Sequence, residues 1–288
     1  MRTNTKKILK HLPFAVSLLV VLGAAAAAVC LVWLYSGDFT PVKQSFFARL
    51  PLPVAMINNR PVFAGGLLWR ERLAEKLPGA TVEPAAIYSR IIAETKISQI
   101  AKSRGLGAET GELESAYSGY AAQENYGGQA NFDDVLASYG ISRQSFIDEE
   151  LKSGVILAKL QTWFYGQTGL NSQAYSQANN LIAQIQNGQD MQALAKNFSQ
   201  DGSSADLSGD LGFVDIERLL PELREPVDAL GVGQVKIIPS RYGLQIVKLE
   251  GKSGNLLHLR AIFIKGADFQ PWLAGQELNL KVINFINI

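Results

Sequence analysis

The chain contains a single cysteine, Cys30, so an intramolecular disulfide is excluded. Histidine is almost as scarce, with only His11 and His258 in 288 residues. Excess charge is missing too. The net charge is +1, and it includes the basic start Arg2, Lys6, Lys7 and Lys10. The remainder is therefore slightly acidic, which argues against nucleic acid as a partner.

What is present begins with an almost unbroken apolar run from Leu12 to Tyr35, interrupted by Pro13, Ser17 and Gly23. At ~1.5 Å rise per residue the run makes roughly 36 Å of helix, enough to cross a hydrocarbon core of ~30 Å with some tilt. Basic residues precede it, and Asp38 comes before the next lysine, Lys43. The positive-inside rule then predicts a single-pass anchor with its short N-terminus in the cytoplasm and everything after Ser36 exported. Trp33 and Tyr35 suit the outer aromatic belt. A cleaved signal peptide is the rival reading, since Ala24 to Ala28 are small. The run, however, continues through Val29 to Leu34, past an ordinary short signal core. Cys30 could suggest a lipid-anchor site, but a bulky valine precedes it and apolar residues follow, so it reads as a buried membrane thiol.

Beyond the anchor the patterns alternate between short strands and amphipathic helices. Val54–Ile57 and Pro61–Val62 read as two strands around Asn58–Asn59. Ile87, Ile91, Ile92 and Ile100 lie broadly on one helical face that stops at Gly105–Gly107. Further helices are predicted over Ala108–Gln123, Phe132–Tyr139 and from a Ser142 cap through Leu160. The acidic run Asp148–Glu150 reads as a solvated face near a helix start. After a break at Gly166–Asn171 comes a helix with Ala178, Leu181, Ile182 and Ile185 inside. A shorter helix capped by Asp190 follows, with Met191, Leu194, Ala195 and Phe198 as its buried side. A Gly/Ser-rich loop leads to a helical piece over Ile216–Leu230. Strands are predicted over Val235–Pro239, Leu244–Leu249 and Leu256–Lys265.

Four blocks in that order, Gly188-Gln-Asp-Met-Gln-Ala-Leu-Ala-Lys-Asn-Phe-Ser199, Gly209-Asp-Leu-Gly-Phe213, Leu230-Gly-Val-Gly-Gln-Val235 and Tyr242-Gly-Leu-Gln-Ile-Val-Lys248, resemble a parvulin-type (PpiC-like) peptidyl-prolyl isomerase domain. The stretch from Val54 to Lys159 is similar to the helical chaperone region of SurA- and PrsA-like foldases. The resemblance implies an α+β fold: a transmembrane helix, a mostly helical chaperone domain and a small antiparallel sheet flanked by helices. The divisions it suggests are a basic tail 1–11, an anchor 12–35, a linker 36–53, a chaperone domain 54–168, a parvulin-like domain 172–268 and a C-terminal tail or helix 269–288. Parvulin domains usually begin with a strand ahead of the first helix. Residues 160–176 offer none, so the domain reads as circularly permuted, its first strand supplied by 256–265; the rival reading is a truncated parvulin domain followed by an unrelated strand.

An X–Pro bond rotates slowly because a barrier near ~20 kcal/mol protects amide resonance. Catalysing it needs no nucleophile, only an apolar seat for the proline ring and hydrogen-bonding groups that favour the twisted amide. The resemblance puts the proline seat at Leu211, Phe213, Leu219, Leu223 and Ala261. It puts the acid at Asp201, the hydroxyl at Ser240 and a hydrogen-bonding side chain at Gln245. It implies neither cofactor nor metal. Both family histidines are replaced, by Ala261 and Gln245, and His258 should face away from Ala261 because strand side chains alternate. The expected partners are the membrane and unfolded or proline-containing exported polypeptides. Three functions remain open: a membrane-anchored isomerase, a binding module without turnover, and a scaffold that tethers another envelope protein.

Overall fold

The computed structural model describes residues 21, 23–76, 83–122 and 128–287. The basic tail, residues 12–20 and 22 of the expected anchor, and most of the Glu124–Ala130 loop lie outside the described residues. Among the described residues no helix is long and apolar enough to cross a membrane.

Two compact units emerge, one built from the chain up to Ala93 together with Leu280 onward, the other from Glu94–Asn279. In the first, residues 23–35 are helical (α1). Val29 and Val32 on this helix are each 71% exposed, whereas Leu34 at its end is buried in the core of the unit. The segment expected to be a linker holds a helix, α2 (Pro41–Arg49). Proline at its start is pre-set for helical φ, and Phe47 makes edge contacts with Tyr35 and Phe39 at 5.5 and 5.1 Å. This apolar packing turns a nominal linker into core, through contacts that no local period announces.

Strands β1 (Pro53–Ile57) and β2 (Arg60–Phe63) form the expected hairpin, with Asn58 at φ +52° in the turn, a conformation asparagine tolerates. Helix α3 (Gly65–Lys76) follows, and α4 (Pro84–Lys102) leads into the second unit. A last strand, β7 (Val282–Asn284), pairs antiparallel with β1, giving the sheet order β2-β1-β7. Ile286 then enters the same core as Val54, Ile57 and Leu67. The C-terminal stretch thus contains both the expected helix, α13 (Phe269–Glu277), and a strand that the sequence did not signal.

The second unit opens with α5 (Thr110–Ala121), α6 (Gln129–Ser138) and α7 (Arg143–Phe146), which runs through a π-helical turn (Ile147–Leu151) into α8 (Lys152–Gly166). Ser142 caps α7, its Oγ accepting from the Ser145 N–H at 3.1 Å. Tyr117, Phe132 and Phe146 form the aromatic centre of this helical region. Helix α13 packs on α8 through Phe164 and Trp272, 5.0 Å between ring centroids. The Arg104 guanidinium lies 4.8 Å from the Trp163 ring and 5.0 Å from that of Trp272.

Then come α9 (Ser172–Gln186), α10 (Met191–Phe198), the short α11 (Gly202–Ala205), β3 (Asp210–Asp215), a 3₁₀ turn (Ile216–Arg218), α12 (Pro221–Asp228), β4 (Val235–Ser240), β5 (Gly243–Ser253) and β6 (Leu256–Ile264). The sheet is antiparallel with order β3-β6-β5-β4, so β6 occupies an interior place. Side-chain alternation gives each interior strand two apolar faces. On one face, Leu244, Ile246, Ile262 and Ile264 pack against Ala178, Leu181, Met191, Leu194 and Ala195 of α9 and α10. On the other, Val247, Leu249, Leu257, Leu259 and Ala261 pack against Leu223 and Val227 of α12. Phe198, expected inside, is 42% exposed. It sits at the last turn of α10, where the chain leaves the sheet. The α+β class read from the sequence holds.

Candidate functional site

The residues singled out by resemblance gather around β6 and its neighbours, though not all on one surface. Leu223 and Ala261 share a buried cluster, and Leu219 packs against it from the residue after the 3₁₀ turn. Ala261 is 7% exposed and pairs across the ladder with Val247. Gln245 is half-buried on β5, opposite Phe263 on β6 and Ile238 on β4. Asp201 comes to the same end of the sheet by backbone bonding. The Gln200 N–H donates to the Phe263 carbonyl at 2.8 Å, and the Phe263 N–H donates to Ser199 Oγ at 3.1 Å. Asp201 therefore follows directly on a segment tied to the ladder partner of Gln245.

Ser240 is fully buried at the β4–β5 turn, where its Oγ donates to the Gly243 carbonyl at 3.1 Å and accepts from the Tyr242 N–H at 3.3 Å. The hydroxyl is thus engaged in holding the turn. Gly243 is required there by close approach, because an added Cβ would lie 2.7 Å from the Ile264 carbonyl oxygen. Leu211 is exposed at an irregularity in β3, between Asp210 and Gly212. Phe213, 54% exposed, pairs with His258 and stacks on its ring at 4.9 Å. It is therefore grouped with His258 and not with the Leu223–Ala261 cluster.

His258 turns away from Ala261, as alternation predicts. Its Nε2 lies 2.9 Å from Asp210 Oδ1 and 3.7 Å from Glu250 Oε2. Arg260, buried beside it, donates to Glu250 from Nε and from a terminal nitrogen at 2.8 and 3.1 Å, and to Asp210 at 3.2 Å. The Gly212 N–H, then His258 and Arg260, hold the Asp210 carboxyl below its ordinary range, against a smaller upward push from burial. Asp210, Glu250 and His258 lie close enough to resemble a ligand set. The arginine between the two carboxylates makes this a salt-bridged structural network.

Sequence reasoning missed a second ionic feature. At the start of α12, Glu222 accepts three bonds from Arg241: from its backbone N–H at 2.9 Å, Nε at 3.0 Å and a terminal nitrogen at 2.8 Å. Burial pushes the Glu222 carboxyl up, but the combined Arg241 bonds outweigh it and the net shift is downward. The pair ties the turn carrying Ser240 to the helix carrying Leu223. Nothing in local spacing marks it, since the partners are nineteen residues apart.

Residues 156–251 match the family model described as a rotamase, the PPIC-type PPIase domain. That region is a PPIC-type PPIase domain. Chaperone SurA of Legionella pneumophila (strain Lens) is 37% identical over 79 residues, which is 27% of this chain and 18% of that protein. Chaperone SurA of Pseudomonas aeruginosa is 38% identical over 76 residues, 26% of this chain and 18% of that one. The chain therefore matches less than a fifth of the length of these curated relatives. Among solved structures, the peptidylprolyl isomerase PrsA from Bacillus anthracis superposes with a TM-score of 0.22 at 17% identity, over 67% of this chain and 86% of that one. PrsA from Bacillus subtilis gives 0.24 at 15% identity, over 79% and 84%. The PPIase match ends at residue 251, before β6, although β6 lies inside the sheet that the matched strands build.

Proposed function

We propose that the chain is a membrane-tethered, extracytoplasmic folding factor of a bacterial envelope, whose PPIase domain engages proline-containing segments of unfolded, newly exported polypeptides. The observation that carries the reading is the PPIC-type match over 156–251, falling on a sheet whose α12 face gathers Leu219, Leu223 and Ala261. On this reading the cluster seats the proline ring and Leu211 borders it, while Phe213, stacked on His258, belongs to the other face of the sheet. Asp201 and Gln245, brought to one end of the sheet, offer hydrogen bonds to the twisted amide, while Ser240 sets the turn beside them. Isomerisation moves no proton, so a glutamine can substitute in part for a histidine. The tether is supported by the apolar run and by the exposed valines of α1. The permuted strand order is supported by the interior place of β6 and by the end of the family match at residue 251.

The second reading, a holdase without turnover, is favoured by one particular feature. Ala261 presents no polar atom at a position where the family carries histidine. A protease-coupled isomerisation assay on the full chain in detergent decides between them. Acceleration over buffer supports the enzyme; a buffer rate together with suppressed aggregation of an unfolded client supports the holdase. Failure of both would overturn the proposal as a whole.

A further inference from the structure

Helix α1 does not enter the first unit through a slack segment. Leu34, in its last turn, is buried, and Tyr35 donates its hydroxyl to the Pro53 carbonyl at 3.0 Å. The Tyr35 ring also meets Phe47 at 5.5 Å and Phe285 at 5.9 Å. Lys43 of α2 is buried too, and its ammonium donates to the Ser36 carbonyl just beyond the end of α1. A cation there complements the negative end of the helix dipole. The same ammonium lies 5.7 Å from the centre of the Trp33 ring. The end of α1 and the start of α2 are therefore clamped together.

Helix α2 has two unlike faces. Phe47 is 3% exposed in the core, whereas its neighbour Phe46 is 39% exposed. Val42 and Leu50 are exposed as well, and with Phe46 they stand at i, i+4 and i+8, which makes one stripe. Arg49 is exposed beside that stripe. Single exposed apolar residues need no explanation, but a contiguous set of them marks an interaction surface.

Trp33 indicates what that surface meets. It lies near the end of the apolar run, is itself exposed, and makes an edge contact with Phe46 at 5.9 Å. A tryptophan at the end of a spanning run takes the interfacial level. Whatever depth Trp33 takes, Phe46 shares it to within one ring contact, because the clamp leaves α2 no freedom to move away. The interfacial layer is roughly 5–8 Å deep on each side of the hydrocarbon core, so a ring in contact with Trp33 stays within or beside it. An apolar stripe with an arginine at its flank also has the composition of a helix lying along a lipid surface.

We propose that the Val42–Phe46–Leu50 stripe of α2 lies in the lipid headgroup layer beside the exit of α1, seating the first unit on the membrane surface. The proposal rests on the tethered reading above, and it adds an orientation that a tether alone leaves open. Arg49 then meets lipid phosphate groups.

The test uses the full chain in vesicles of phosphatidylethanolamine and phosphatidylglycerol, with a nitroxide on one cysteine at a time. Native Cys30, the only cysteine, reports on the anchor. In a Cys30→Ser background, Val42→Cys, Ser45→Cys and Arg49→Cys report independently on the exposed face of α2. Each site is measured for accessibility to oxygen, which concentrates in lipid, and to a water-soluble nickel chelate. The oxygen-to-nickel ratio should be highest at Cys30 and, at the three α2 sites, well above that of a free nitroxide in water. All three substituted side chains are exposed, so the melting temperature should stay at that of the parent. A water-like ratio at the α2 sites, with a high ratio at Cys30, overturns the docking and leaves the tether standing. Low accessibility to both reagents means that protein covers the stripe, and it overturns the docking equally. A water-like ratio at Cys30 defeats the tethered reading itself, and the docking with it.

Discussion

Glu222→Gln is the most exacting test of the local electrostatics. The substitution keeps the shape of the side chain and removes its charge, leaving the Arg241 guanidinium against a neutral amide. The side chains are 12% and 26% exposed for Glu222 and Arg241 respectively, so the pair lies between the surface and buried limits. Exposed pairs contribute about 0.2–1 kcal/mol, and breaking a fully buried one costs about 3–5 kcal/mol. Three bonds from one arginine place this case near ~2 kcal/mol. For a unit of this size that corresponds to a fall in melting temperature of about 4–8 °C. The pH dependence has a definite sign. The folded carboxyl is held below its ordinary 4.5, so its contribution is complete above that value and is lost as the pH falls through the depressed one. Differential scanning calorimetry at neutral pH and in the acid range should therefore show parent and variant converging as the acid end is approached. A double-mutant cycle with Arg241→Met isolates the coupling. A gap that persists undiminished in acid, or a coupling below about 0.5 kcal/mol, would refute the argument.

Three other perturbations bear on separate parts of the molecule. Truncation after Asn279 removes β7 and the buried Ile286, whose burial alone is worth roughly 1.5–3 kcal/mol. Hydrogen exchange should then rise across β1 and β2 while the β3–β6 sheet keeps its protection; uniform exchange across the chain would contradict the division into two units. Gly209→Ala imposes a left-handed φ of +76° on alanine and drives its Cβ to 2.5 Å from the Ala261 carbonyl oxygen. A loss of at least about 2 kcal/mol in urea unfolding is expected, and a near-neutral result would mean that the β3 approach relaxes freely. Gln245→His combined with Ala261→His should raise the isomerisation rate. Overpacking at the buried Ala261 should lower stability by about 1–3 kcal/mol. A stable variant with no gain in rate would count against the assignment of these positions.

Much of this molecule is legible in order along the chain. The Asn58 hairpin, the Ser142 and Asp190 caps and the strands from Val235 to Ile264 are set by neighbours within a few residues, and each appears where expected. The orientation of His258 away from Ala261 also follows from strand alternation alone. The candidate site was only partly legible. The family resemblance named Leu219, Leu223 and Ala261, and these three share one cluster. Phe213 instead stacks on His258, because its ladder register places it opposite that ring.

The scarcity of cysteine and histidine, the apolar start and the block order were determined by sequence alone, since each is a matter of composition or local spacing. Tertiary structure decided what depends on meetings far along the chain. Helix α2 is packed core because Phe47 meets Tyr35 and Phe39, and β7 is a strand because β1 leaves it an edge. Arg241 finds Glu222, and Arg260 finds Glu250 and Asp210, through turn and register. A three-residue strand or an ion pair across separate elements has almost no local signature. Its free energy comes from partners that only the folded chain brings within reach.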